Sequence, residues 1–258
     1  MTFFPLPAFN DNYIWTYRDP HAQGVWVVDP GDGQVVMNYC QRVGEPLLGI
    51  LITHKHNDHI GGVAMLRQQF DCPVYGPSNL AADIVTHPLG EGDQVVVGQH
   101  KFTVWEIPGH TLEHICYVSQ ANEHKLLLSG DTLFRGGCGR VFEGTYEQMC
   151  QAMSRFLSLA DDTEVFGTHE YTLANYRFAL AIDPHNPMLI AAQQDAQSSR
   201  DTGQPTLPTT IGLERATNPF LRFDRDDIVE RAASLISSPV PALPDQRFGV
   251  IRRAKDEF

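Results

Sequence analysis

The chain has 258 residues, 42% of them apolar, with 31 acidic against 19 basic side chains and a formal net charge of -12. That length suffices for one full core, or for a domain of about 170 residues with a smaller companion. The acidic balance excludes a general attraction to nucleic acid or to an anionic membrane, though not a small basic pocket.

No run of about 18 apolar residues occurs, so no membrane-spanning helix is expected. Residues 1–5 lack the basic-then-apolar pattern of a signal peptide. The cysteines, Cys40, Cys72, Cys116, Cys138 and Cys150, are odd in number and widely spaced. They point to a reducing compartment rather than a disulfide framework, so a cytoplasmic protein is expected. Nothing in the chain demands more than a monomer.

In chain order, residues 13–18 and 25–28 read as short strands, and Asp29-Pro30-Gly31-Asp32-Gly33 closes the second with turn residues. A helix is predicted over 34–43 and a strand over 48–52. Gly61-Gly62 opens a helix to about Phe70, with Val63, Leu66 and Phe70 on one face. Strands follow at 73–76, 94–97, 101–107, 114–118 and 125–129. A helix is expected over 145–158 and a last short strand over 164–167. Beyond about 170 the pattern becomes helical, at 172–182, 187–200 and 225–237. Residues 203–210, rich in Pro and Thr, read as an extended connector. The chain thus divides into a domain over 1–170 and a helical domain over 171–258.

The segment Thr53-His54-Lys55-His56-Asn57-Asp58-His59 packs four metal-ligand side chains directly after the apolar run 48–52. Imidazole and carboxylate suit zinc, iron or manganese. Four such groups cannot easily converge on one ion and leave a position open, so two ions side by side are expected. His110, Asp131 and His169 also follow apolar strands, and loops at strand ends are where a rigid scaffold carries function. His54, His56 and His110 are assigned to one ion, and Asp58, His59 and His169 to the other. Asp131 bridges them, with a hydroxide on the open side. Ions roughly 3.5–4 Å apart polarise a carbonyl while stabilising the attacking oxygen. The other histidines, 21, 87, 100, 114, 124 and 185, read as surface or supporting groups.

These pieces resemble the metallo-β-lactamase fold and, within it, the glyoxalase II (hydroxyacylglutathione hydrolase) family. The matching motifs are THKHNDHIGG at 53–62, PGHTLEH at 108–114, SGDTLF at 129–134, GGCGRVFEG at 136–144, GTHEYT at 167–172, NPF at 218–220 and RRAKDEF at 252–258. The histidine motif alone indicates the superfamily; the C-terminal pieces narrow it. The resemblance implies an α/β protein, an αββα sandwich with a C-terminal helical domain that binds glutathione. It implies a binuclear enzyme, zinc first with iron or manganese as alternatives, and the same seven ligands. The implied reaction is hydrolysis of S-D-lactoylglutathione to D-lactate and glutathione, a step of methylglyoxal degradation. Arg140, Phe142, Tyr171, Arg252 and Lys255 fall at its glutathione-binding positions, and Asp58 orients the hydroxide.

Charge chemistry agrees with that implication. Glutathione carries two carboxylates, and an acidic protein needs local cations to hold them. Lys55, Asn57, Glu113 and Phe142 depart from residues common in the family. A single-iron dioxygenase of the fold would need a smaller ligand set. A β-lactamase usually carries cysteine where Asp131 stands, and a processing ribonuclease would want a basic surface.

Overall fold

The computed structural model describes residues 3–121 and 124–258. Contacts divide the chain into two compact units, Met1–Glu106 with Glu113–Gly130, and Ile107–Leu112 with Asp131–Phe258.

The first unit opens with β1 (Phe4–Ala8), β2 (Asn12–Asp19) and β3 (Gly24–Val28), an antiparallel meander. Next come α1 (Gly33–Val43) and β4 (Leu47–Leu51), then a single turn α2 (Asn57–Ile60) and α3 (Val63–Gln69). β5 (Val74–Pro77) and β6 (His87–Leu89) complete a six-stranded sheet in sequence order, with β3 to β6 parallel. α1 is framed by its sequence: the Asp32 carboxylate accepts from the Gln34 and Val35 amides, and Gly44 ends the helix at φ 70°. Val36, Tyr39 and Cys40 of α1 and Val63 and Leu66 of α3 bury against Leu6, Ile14, Val25, Val27 and Ile50.

The opposite face of that sheet meets a second, antiparallel set: β7 (Gln94–Val97), β8 (His100–Glu106), β9 (Ile115–Ala121) and β10 (His124–Gly130). Alternate side chains of β7 and β8 are buried, the period-two pattern of a half-covered sheet. The Tyr117 hydroxyl donates to the Ile52 carbonyl at 2.7 Å, and Tyr17 lies edge-on to His100 at 5.1 Å. The Tyr117 bond holds the end of β4, from which the histidine loop departs.

The second unit begins with a small hairpin, β11 (Leu133–Phe134) and β12 (Gly137–Cys138). α4 (Tyr146–Phe156) starts from a capping box between Thr145 and Gln148. β13 (Glu164–Gly167) leads into α5 (Thr172–Ile182), and α6 (Pro187–Asp201) starts from the Asn186 cap. β14 (Thr209–Thr210) pairs antiparallel with β13. Then come α7 (Ile211–Thr217), a 3-10 turn Pro219–Leu221, α8 (Asp226–Leu235) and α9 (Pro244–Glu257). Phe220 sits between Phe178 and Phe248 at ring distances of 6.3 and 5.6 Å.

Several elements go beyond the sequence expectation. β1 is not among the expected strands; it contains Pro5 and Pro7, which its place at the edge of the sheet tolerates because fewer amide donors are needed there. α9 is not among the expected helices, because its buried face includes Arg252 and breaks the apolar pattern. The connector 203–210 ends in the short strand β14. All five cysteines are free and buried. No helix of the described residues is long and apolar enough to cross a membrane.

Candidate active site

In the first unit, the histidine loop is hung from one buried carboxylate. Asp29, 2% exposed, has the left-handed φ of 51°. Its Oδ1 accepts from the Thr53 amide at 2.8 Å, and its Oδ2 from the Thr53 hydroxyl at 2.7 Å. Oδ2 also lies 3.0 Å from His59 Nδ1. Because the Thr53 hydroxyl donates to Asp29, it is an acceptor for His54 Nδ1, 3.0 Å away. His54 is therefore assigned the Nδ1–H tautomer, leaving its Nε2 as a lone-pair donor. This is the outer-shell arrangement by which ligating imidazoles are oriented. His54 Nε2 lies 3.1 Å from His56 Nδ1, and His59 Nε2 3.4 Å from Asp58 Oδ2. Asn12 donates to Asp58 Oδ2 at 3.0 Å, holding that carboxylate from a strand 46 residues away.

Two departures from the family pattern answer each other. Glu113 accepts from the Lys55 backbone amide at 3.1 Å, and its other oxygen lies 3.4 Å from Lys55 Nζ. The lysine charge is thus paired with a carboxylate. His114 is fully buried and stacks on His54 at 4.6 Å, a supporting role.

In the second unit, His110, Asp131 and His169 converge. Asp131 Oδ2 lies 3.5 Å from His110 Nε2 and 3.2 Å from His169 Nε2. His110 Nδ1 is 2.8 Å from the Arg140 carbonyl, which fixes a proton there and again leaves Nε2 as the donor atom. The approach is close: a Cβ on Gly139 would lie 1.9 Å from the Asp131 carbonyl oxygen, so glycine is required there. Tyr171 stacks on His169 at 4.7 Å with rings 3° from parallel, and Phe134 stands edge-on to His169. Groups of donor side chains spaced to hold metal ions are present among the described residues, and they draw on these seven: His54, His56, Asp58, His59, His110, Asp131 and His169. Nitrogen and oxygen donors with oriented imidazoles fit divalent ions.

The expected substrate-binding side chains differ in exposure. Arg140 and Phe142 are each 62% exposed, and Tyr171 is half-exposed. Arg252 is buried; its Nη1 donates to the Cys138 carbonyl at 2.9 Å and its guanidinium covers the Phe220 ring at 5.0 Å. Lys255 donates to the Ala174 carbonyl at 3.1 Å. Desolvation, then the Arg252 and Arg177 charges, push its ammonium pKa down to about 8. Arg253 turns towards Ser238. Sequence reasoning did not single out Asp29 or Asn12, because neither lies in a ligand motif.

The metallo-beta-lactamase superfamily model matches residues 13–169, and the model for the hydroxyacylglutathione hydrolase C-terminus matches residues 170–258. A hydroxyacylglutathione hydrolase of Marinomonas sp. (strain MWYL1) is 52% identical over 258 residues, covering 100% of both chains. The chain belongs to the hydroxyacylglutathione hydrolase family. A hydroxyacylglutathione hydrolase of Shewanella halifaxensis is 48% identical, with 98% of each chain covered. Among solved structures, ETHE1 from Myxococcus xanthus is similar with a TM-score of 0.67 at 24% identity, over 99% of this chain and 100% of that one. The protein TTHA1623 in a di-iron-bound form gives 0.57 at 27% identity, over 84% and 100%. Like other members of the hydroxyacylglutathione hydrolase family, the chain has the metallo-β-lactamase fold, an αββα core with a C-terminal helical extension. Its donor groups and family together support a metal-dependent enzyme.

Proposed function

We propose that the protein hydrolyses S-D-lactoylglutathione, and related 2-hydroxyacylglutathiones, to glutathione and D-lactate as a step of methylglyoxal degradation. The observation that carries this reading is the oriented donor set. The Nδ1 atoms of His54 and His110 are each held by an oxygen of the chain, and their Nε2 atoms are left as donors. Two divalent ions suit these ligands, zinc first and iron or manganese as alternatives. His54, His56 and His110 would hold one, Asp58, His59 and His169 the other, and Asp131 both. Bound there, the ions would polarise the thioester carbonyl and lower the pKa of water from about 16 towards about 7.

The chain's own groups do the rest. Asp58, steadied by Asn12, orients the attacking water. Arg140 and Lys255 supply cations for the glutathione carboxylates, with Arg252 behind them as a fixed charge. Phe142 and Tyr171 offer ring surface to the peptide. The thiolate leaves without strong acid help, since its pKa is only about 8.5–9. In this reading residues 1–170 form the catalytic domain and 171–258 the glutathione-binding domain.

Hydrolysis of S-D-lactoylglutathione by the purified protein, with metals quantified on the same sample, tests the proposal. Rapid turnover with about two metals per chain is the expected result. Absence of turnover at full metal loading would move the search to another thioester.

A further inference from the structure

One oxygen in the second unit touches two arginines of different character. Asp256 Oδ1 accepts from Arg252 Nη2 at 2.9 Å and lies 3.3 Å from Arg140 Nε. Arg252 is a fixed post, buried, bonded to the Cys138 carbonyl and laid over Phe220. Arg140 is mostly in solvent. A carboxylate in the last turn of a helix opposes the helix dipole, so within α9 what favours Asp256 is its i,i+4 pair with Arg252.

We propose that Asp256 is a positioning residue: its carboxylate tethers the exposed Arg140 to the buried Arg252 and so presets the cation that receives a glutathione carboxylate. This rests on reading Arg140 as a substrate-binding residue. The geometry makes Asp256 a tether rather than a competitor. It meets Arg140 at Nε, and a guanidinium pairs with an incoming carboxylate through its two terminal nitrogens as well. Substrate can therefore bind without displacing Asp256. Holding a long side chain in place before binding lowers the cost of ordering it on binding.

Steady-state kinetics of the metal-loaded enzyme with S-D-lactoylglutathione test this. Asp256→Asn keeps an oxygen for Arg252 but loses the charge; KM should rise about three- to tenfold with kcat little changed. Asp256→Glu should recover most of the loss, and Asp256→Asn in an Arg140→Ala background should add nothing further. An unchanged or lowered KM in Asp256→Asn, or the same rise in the Arg140→Ala background, overturns the tether. If Arg140→Ala raises KM and Asp256→Asn does not, the tether alone fails. If Arg140→Ala leaves KM unchanged, the substrate-binding role of Arg140 fails, and the tether with it.

Discussion

At the scale of single residues, Asp29 shows how much of the proposed metal site rests on groups that are not its ligands. One carboxylate takes the Thr53 amide and the Thr53 hydroxyl and lies 3.0 Å from His59 Nδ1. It thereby fixes the exit of the histidine loop and, through the Thr53 hydroxyl, the tautomer of His54. Replacing such an outer partner typically costs about 10- to 100-fold in metal affinity. Asp29→Ala should do the same, read by competition against a chelator of known affinity. It also strands a buried amide, so urea unfolding should show a loss of about 1–3 kcal/mol. Native metal affinity in that variant would leave Asp29 no orienting role. Lys255 offers a pH test of the substrate cradle. Its folded pKa, about 8, lies below the ordinary lysine value because burial disfavours the ammonium. The charge that pairs with a carboxylate is present below pH 8 and lost above it. KM for S-D-lactoylglutathione should therefore climb as pH rises through about 8, and Lys255→Arg, which stays charged, should flatten the climb. The same rise in both would point to the substrate's own ammonium instead.

At the scale of elements, the hairpin of β11 and β12 connects Asp131 to Arg140, and a buried polar network holds it in place. Asn218 Nδ2 donates to the Gly137 carbonyl at 2.9 Å and to Glu214 at 2.9 Å, while Glu214 also accepts from the Gly136 amide at 2.7 Å and the Thr209 hydroxyl at 2.7 Å. Burial pushes the Glu214 carboxyl pKa up, and these donors and Arg135 work against that rise. From the other side, Arg135 reaches the Tyr176 hydroxyl and the Thr206 carbonyl, and Asn175 donates to the Arg135 carbonyl. Two-residue strands are too short to hold a register alone, so these side chains do it. Asn218 also caps the 3-10 turn by accepting from the Phe220 amide at 2.9 Å. Asn218→Ala removes the bonds that Asn218 makes and leaves the buried Gly137 carbonyl and Phe220 amide unsatisfied. A loss of about 2–4 kcal/mol in urea unfolding is expected. A loss under about 0.5 kcal/mol, the scale of a surface change, would mean that the network is slack.

At the scale of the whole molecule, the seven donors were legible because they sit in short motifs directly after apolar strands, and imidazole and carboxylate carry their chemistry wherever the chain folds. Asp29 and Asn12 were not, since their roles depend on a left-handed backbone at Asp29 and on contacts 24 and 46 residues away. The basic C-terminal cluster was legible as charge, yet not as a helix whose buried face includes an arginine. That arginine is tolerated because a carbonyl, a carboxylate and an aromatic ring surround its guanidinium. The same contrast between charge and burial sets a last expectation. On the proposed reading, the folded chain would hold ions in a geometry that the unfolded chain lacks. Ligand that binds only the folded state stabilises it by about 2.7 kcal/mol at a hundred times its dissociation constant. Chelation followed by desalting should therefore lower the thermal midpoint by several degrees and abolish turnover, and restoring zinc, iron or manganese should recover both. Asp131→Ala should melt near the chelated wild type and show little response to added metal. A wild-type midpoint indifferent to chelation, with turnover intact, would place the chemistry in the side chains alone.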